Sequence, residues 1–156
     1  MYEKEVLNKT NKNVAATSIS QAIFSGDTEK LQKELDKFMV ESISTFDTAN
    51  EGFYHGMMLG LCAVLNNRYH VRSNRESGFG RFDIVLIPKG DKIPAFIYEF
   101  KHTKDEKTDL EALADEALKQ INAKKYDAEL LHHGISNIVK TGIAFRGKNS
   151  VVKRNG

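Results

Sequence analysis

Phe82-Asp83-Ile84-Val85-Leu86-Ile87 and, a short turn later, Ala95-Phe96-Ile97-Tyr98-Glu99-Phe100-Lys101 are the stretches that decide the fold of this chain. Both are rich in β-branched and aromatic residues, and Pro88-Lys89-Gly90-Asp91 between them has turn chemistry. Two strands so close in sequence predict a hairpin. Side chains alternate between the two faces of a strand. Asp83, Val85 and Ile87 therefore share a face of one strand, and Ile97, Glu99 and Lys101 share a face of the next. If the strands pair, two carboxylates and an ammonium converge at one end of a sheet. Charged side chains within apolar strands are costly unless they are paired or hold a metal.

Working outward, Tyr69-His70-Val71-Arg72-Ser73 reads as a further strand before these two. Ahead of it, Glu51 starts a helix reaching about Asn66, with Tyr54, Met58, Leu61 and Leu65 as its core stripe. Asp27 caps an additional N-terminal helix running to about Ser44, with Leu31, Leu35, Phe38 and Ser42 on one face. Downstream, the polar stretch 102–109 leads into a helix with Leu110, Leu113, Ala114, Ala117, Leu118 and Ile121 on one side, which continues or restarts through Tyr126, Leu130 and Leu131. Gly142-Ile143-Ala144-Phe145 is the last strand. The order helix, helix, three strands, helix, strand predicts an α/β fold with a mixed central sheet flanked by helices. Residues 1–24 are expected to form an extension or linker, 25–149 the domain, and 150–156 a basic tail.

The chain has 156 residues, 40% of them hydrophobic and 28% charged, which suits one domain with its own core. Its net charge of +2 leaves any case for nucleic acid to charge placement rather than charge total. The lone Cys62 excludes an internal disulfide and a cysteine-built zinc site, and its apolar surroundings predict a buried core residue. No apolar run reaches the ~18 residues of a membrane span, and residues 1–5 lack a signal-peptide pattern. A cytoplasmic protein with no membrane partner is the expectation.

Asp83, Glu99 and Lys101 suit a divalent cation. Mg²⁺ takes one or two carboxylates, keeps several waters and binds phosphate oxygens. It lowers the pKa of bound water and stabilises charge on a phosphoryl group. A neighbouring lysine positions the attacking water or stabilises the transition state. Glu99 and Lys101 alone read more simply as an exposed ion pair on an edge strand, and it is Asp83 on the neighbouring apolar strand that brings the functional reading level with it.

The string Ser73-Asn74-Arg75-Glu76-Ser77-Gly78-Phe79-Gly80-Arg81-Phe82-Asp83-Ile84, followed by Ile97-Tyr98-Glu99-Phe100-Lys101, resembles the PD-(D/E)XK nuclease superfamily. It looks most like the branch found C-terminal to AAA-ATPase-like domains in bacterial proteins. The resemblance covers about residues 22–148 and includes Glu51-x-x-Tyr54-His55-Gly56 and Ala117-Leu118-Lys119-Gln120-Ile121. It implies a restriction-endonuclease-like core of helix, three strands, helix and strand. It implies a nuclease that uses Mg²⁺ or Mn²⁺, with Asp83 as the motif aspartate, Glu99 as the acidic residue of the (D/E)XK element and Lys101 as its lysine. Glu51 would complete the metal site, the carbonyl of Phe100 would join the ligands, and Gln120 would reach the site from the later helix. One departure stands out: Gly80-Arg81-Phe82-Asp83 occupies the place of the name-giving Pro-Asp.

Each further residue has a plainer reading. Glu51 also complements the positive end of its helix, Gln120 is an ordinary helix-surface residue, and His55 is either a core-flanking histidine or a substrate contact. Arg75 and Arg81 are expected as substrate contacts, although Arg81 and Glu76 also suit a pair. His132-His133 reads as an exposed helix end. Two basic stretches, 68–81 and 140–156, suit a nucleic-acid backbone or simply a solvated surface. A nucleic acid is the expected partner, with an AAA-type ATPase domain upstream or in trans. The alternative is a non-catalytic module of the same fold that binds nucleic acid or protein.

Overall fold

A computed structural model describes residues 18–44, 48, 52–73, 83–123 and 127–155. Residues 18–25 form a helix, α1, followed by α2 (Thr28–Ser42), α3 (Phe53–Cys62) with a 3₁₀ turn (Ala63–Leu65), β1 (Tyr69–Ser73), β2 (Ile84–Pro88), β3 (Ala95–His102), α4 (Leu110–Ala123), α5 (Asp127–His132), β4 (Ile138–Arg146) and β5 (Asn149–Asn155). The five strands form one sheet in the order β1-β2-β3-β4-β5. The β1–β2, β2–β3 and β4–β5 pairs are antiparallel, while β3 and β4 run parallel. A parallel pair needs a long crossover, and α4 and α5 supply it. The mixed sheet flanked by helices is the α/β architecture expected from the sequence.

Period-2 alternation divides the core into two sides. Ile84, Leu86, Phe96, Tyr98, Ile143 and Phe145 face α1, α2 and α3, where they pack with Leu35, Met39, Met58 and Leu61. Val85, Ala95 and Ile97 face the other way and pack on Ile121 of α4 and Leu130 of α5. The α4 stripe contributes Leu110, Ala114, Ala117 and Ile121 as its buried residues. On α2 the buried stripe is Leu31, Leu35 and Met39, with Phe38 only partly covered and Ser42 exposed. Asp27 caps α2 as its sequence predicts, its side chain accepting from the Lys30 N–H at 3.0 Å.

Parts of residues 18–24 and 150–155, expected from the sequence as an extension and a tail, enter the core. Within the supposed extension, Ile19, Ala22 and Ile23 of α1 are fully buried against the sheet. Gly26 joins α1 to α2 with φ +70°, a conformation that favours glycine, and the Arg154 guanidinium packs where its Cβ would stand. The supposed basic tail is β5. It pairs along β4 and buries Ser150 and Val152. The outer side of β5 is covered by α2, with Gln32 accepting from the Val152 N–H (3.1 Å) and Asp36 from the Ser150 hydroxyl (2.7 Å). Among the described residues no helix is long and apolar enough to cross a membrane.

Candidate active site

Glu99 sits in the middle of the α4 side of the sheet. It is 7% exposed, and its register partner on β4 is Gly142. Period-2 alternation places Lys101 on the same face, one pleat further along β3. Gln120 of α4 lies over both. With its amide oriented to suit its neighbours, Nε2 donates to Glu99 Oε1 (3.1 Å) and Oε1 accepts from Lys101 Nζ (2.9 Å). One helical turn earlier, Glu116 Oε1 lies 3.6 Å from Lys101 Nζ. The lysine ammonium is thus held between two side chains of α4. Glu116 had no signal in the sequence beyond its i, i+4 spacing from Gln120.

Asp83 reaches the same end of the sheet by a different route. Its N–H donates to the Tyr98 carbonyl (3.0 Å), although Tyr98 is the register partner of Ile84. The ladder therefore slips by one residue at Asp83, in the manner of a bulge. The aspartate Oδ2 accepts from the Phe100 N–H at 2.7 Å. A charge-assisted bond of this kind is among the stronger hydrogen bonds in a protein. Oδ1 lies 3.5 Å from His55 Nδ1 on α3. His55 Nε2 in turn stands 2.6 Å from Ser73 Oγ. His55 so connects the end of β1 to the start of β2, while its ring meets Phe100 edge-on at 6.3 Å.

The two clusters adjoin through the Glu99–Phe100 peptide. Glu99, Lys101, Gln120 and Glu116 gather on its α4 side, and Asp83, His55 and Ser73 gather about its N–H. The simple expectation that Asp83 shares a face with Glu99 and Lys101 is altered by the slipped register, which turns the Asp83 carboxylate to the Phe100 N–H and His55. Glu51, Arg75 and Arg81 lie outside the described residues.

Among the described residues no group of three or more His, Cys, Asp or Glu side chains is placed to hold a metal. Mg²⁺ does not require three such ligands, because it binds through one or two carboxylates and keeps its waters. The carboxylate oxygens of Asp83 and Glu99 and the Phe100 carbonyl oxygen are hard ligands of the type it prefers. The donor chemistry at this end of the sheet fits a hard divalent cation.

Other titratable groups are structural. Cys62 is fully buried and burial pushes its thiol up to about 12, so it is a neutral core residue. Tyr98, buried beneath Glu99's strand, is raised well above its ordinary value by the same desolvation. His132 and His133 are exposed at the end of α5, with rings 5.8 Å apart. The second basic stretch is largely engaged within the molecule. Lys140 bonds Asn122 and Asp127, Arg146 donates to the carbonyls of Asp105 and Thr108, and Lys153 pairs with Glu111.

The sequence profile of the PD-(D/E)XK nuclease superfamily matches residues 49–155, well over half of the chain. No curated protein and no solved structure matches it. The matched segment spans α3, all five strands and α4, and its strand order and directions are those of a restriction-endonuclease-like core. The chain therefore belongs to the PD-(D/E)XK nuclease superfamily.

Proposed function

We propose that the chain is a divalent-metal-dependent nuclease that hydrolyses phosphodiester bonds of DNA or RNA. The observation that carries this reading is the Glu99–Gln120–Lys101 chain of hydrogen bonds beside Asp83 on the Glu99–Phe100 peptide. Burying the Glu99 carboxylate beside a half-buried amide and ammonium has a desolvation cost. A purely structural sheet end would be served as well by apolar residues.

In this reading Asp83 and Glu99 hold Mg²⁺ or Mn²⁺, with the Phe100 carbonyl as a further donor and Glu51 assisting. The ion, when bound, withdraws charge from the phosphoryl oxygens. Lys101 holds the attacking water by donating to its oxygen. Gln120 and Glu116 fix the direction of that ammonium, which matters because misplacing a reacting group by about 1 Å costs up to about 100-fold in rate. Water adds to phosphorus as the bond to the leaving oxygen breaks, the water gives up a proton to solvent, and the leaving oxygen takes one from solvent. His55 keeps the start of β2 against the end of β1, which holds Asp83 at the site. His55, Arg75 and Arg81 contact the substrate backbone. The resemblance to chains joined to AAA-type ATPase domains suggests such a domain as a partner, and the cytoplasm as the compartment.

The test is cleavage of plasmid, linear and single-stranded DNA and of RNA by the purified protein, with Mg²⁺, Mn²⁺ or EDTA. Metal-dependent cleavage should disappear in Asp83→Ala and in Lys101→Ala while both variants remain folded by circular dichroism. Full cleavage by both would refute the assignment. Binding without cleavage under every condition would favour the non-catalytic module.

A further inference from the structure

The sheet has two edges, and they are treated differently. β5 is covered by α2, whose Gln32 satisfies an outward backbone N–H of the strand. Among the described residues β1 pairs only with β2, and its other side borders an open groove of about 380 Å³. Leu59 and Ala63, from α3 and the 3₁₀ turn, form one wall of that groove, and the edge of β1 forms the other. Along the strand His70 and Arg72 are exposed, while Tyr69 and Val71 turn to the core. Lys89, at the end of β2, also lines the groove.

Charge at this edge is one-signed. The chain from Phe53 to Ser73 contains no acidic residue. Arg72 and His70 have no hydrogen bond or ion pair among the described residues. Lys89 Nζ donates to the Asn66 carbonyl, and Arg68 stacks over Phe24. These contacts orient both cations without neutralising them. The contrast with Lys140 and Lys153, which pair with carboxylates of the same molecule, is direct. An edge strand also leaves alternate backbone N–H groups without a strand partner, and such groups are donors to phosphate oxygens.

The groove borders two elements, α3 and β1, that also carry residues next to Asp83. Leu59 is one helical turn from His55, and Arg72 precedes Ser73, the residue His55 contacts. Arg72 pairs in register with Val85, two positions from Asp83. Strand geometry puts two rises of ~3.3 Å and one strand spacing of ~4.8 Å between Arg72 and Asp83. Neighbouring phosphates on one nucleic-acid strand are separated by steps of this order.

We infer that the open edge of β1, through Arg72, His70 and Lys89, takes the phosphodiester backbone of a nucleic-acid strand and leads it to Asp83. This rests on the nuclease reading for its direction toward the site. The contact is to phosphates and so is indifferent to base sequence. The opposite edge of the sheet, closed by α2, takes no part.

The experiment is fluorescence anisotropy of the full chain with labelled single-stranded DNA and RNA oligonucleotides in EDTA, repeated from 50 to about 300 mM salt. Arg72→Ala and Arg72→Ala/Lys89→Ala are compared with Lys33→Ala/Lys37→Ala, which removes the same charge from the exposed side of α2. Each lost phosphate contact lowers the salt slope by about 0.7 on single strands, equivalent to about fivefold in Kd at 0.1 M salt. The β1-edge double variant should therefore bind about 25-fold more weakly with a slope lower by about 1.4, while the α2 pair stays near the parent. An equal loss in both doubles, or no loss in either, overturns the inference, as does absence of binding by the parent chain. If the parent cleaves nucleic acid and the β1-edge double still binds and cleaves like it, the inference falls and the nuclease reading stands. If the double loses binding but the parent never cleaves, the nuclease reading falls and the inference stands.

Discussion

Gly142→Ala is the substitution that most directly probes how α4 is placed over the site. Gly142 is the β4 partner of Glu99. A Cβ built there would lie 2.5 Å from the Ala114 carbonyl oxygen, 2.7 Å from the Leu118 nitrogen and 3.1 Å from the Ala117 Cβ. Ordinary contact begins near ~3.5 Å, so the helix must withdraw by about 1 Å. Two of the three obstructing atoms are backbone, which cannot swing aside as a side-chain end can. Overpacking of this kind costs about 1–3 kcal/mol, and each kcal/mol lowers Tm by about 2–4 °C in a chain of this size. The expected loss is then about 2–12 °C. A withdrawal of about 1 Å also stretches the 2.9 Å contact between Gln120 and Lys101 beyond hydrogen-bond range. Cleavage, measured well below the variant's melting point, should fall by about 10- to 100-fold. Gly60 is the control, since nothing lies within 4 Å of a Cβ added there. Gly60→Ala, on the exposed face of α3, should raise stability by about 0.5–1 kcal/mol. A Gly142→Ala protein with parental Tm and parental cleavage would refute the argument that close packing at this glycine sets the position of α4.

Three further outcomes are expected. Gln120→Leu removes both amide bonds without changing bulk greatly, so it should lower kcat by about tenfold or more while leaving KM near the parent, and a raised KM with unchanged kcat would point to substrate binding instead. Cys62, with its thiol pushed up to about 12, should have only about one thiolate in ten thousand molecules at pH 8, so it should resist a thiol reagent until urea unfolds the chain, and rapid labelling of native protein would contradict its burial. Burial raises the Asp36 carboxyl, against the hydrogen bonds it accepts from Ser150. Its ionisation therefore disfavours the folded state above the folded pKa, and the effect vanishes below the ordinary value of 3.8. Asp36→Asn should melt higher than the parent at pH 7, by no more than about 1 kcal/mol because water screens a half-exposed group, and equally at pH 3; the opposite order at pH 7 would overturn the sign.

How much of this was legible in the sequence follows from which physical rule each element obeys. α2 and α3 carry apolar residues at helical spacing, α2 also has a side-chain cap, and the three strands have the period and the turn that strands require, so these elements were foreseen to within a few residues. β5 was not, because Ser150-Val151-Val152-Lys153 carries only two apolar residues and ends in charge. Its signal was the turn. Arg146 and Asn149 face each other across Gly147-Lys148, a two-residue loop whose glycine has φ +57°. α1 escaped notice because its buried residues, Ile19, Ala22 and Ile23, are few and separated by polar ones.

At the site the same logic separates what periodicity can foresee from what it cannot. Glu99 and Lys101 lie two residues apart on one regular strand, so their common face follows from the pleat alone. Gln120 follows from its place beside Ala117 and Ile121 on the stripe that α4 turns to the sheet. Asp83 stands where β2 begins, and there the ladder slips by one residue, so counting by twos no longer gives the direction of its side chain. That slip has a chemical consequence. A regular ladder would offer the Phe100 N–H to a carbonyl of the neighbouring strand, whereas here it donates to the Asp83 carboxylate. The aspartate is consequently fixed to the very peptide that carries Glu99, and any movement of Glu99 along β3 moves Asp83 with it. Asp83→Asn would keep an acceptor for Phe100 but remove the charge, whereas Asp83→Ala would also free the N–H. If the peptide link matters for shape and the charge for chemistry, the Asn variant should keep parental stability and lose cleavage. The Ala variant should lose about 1–3 kcal/mol as well, the cost of leaving a partly buried donor without its partner.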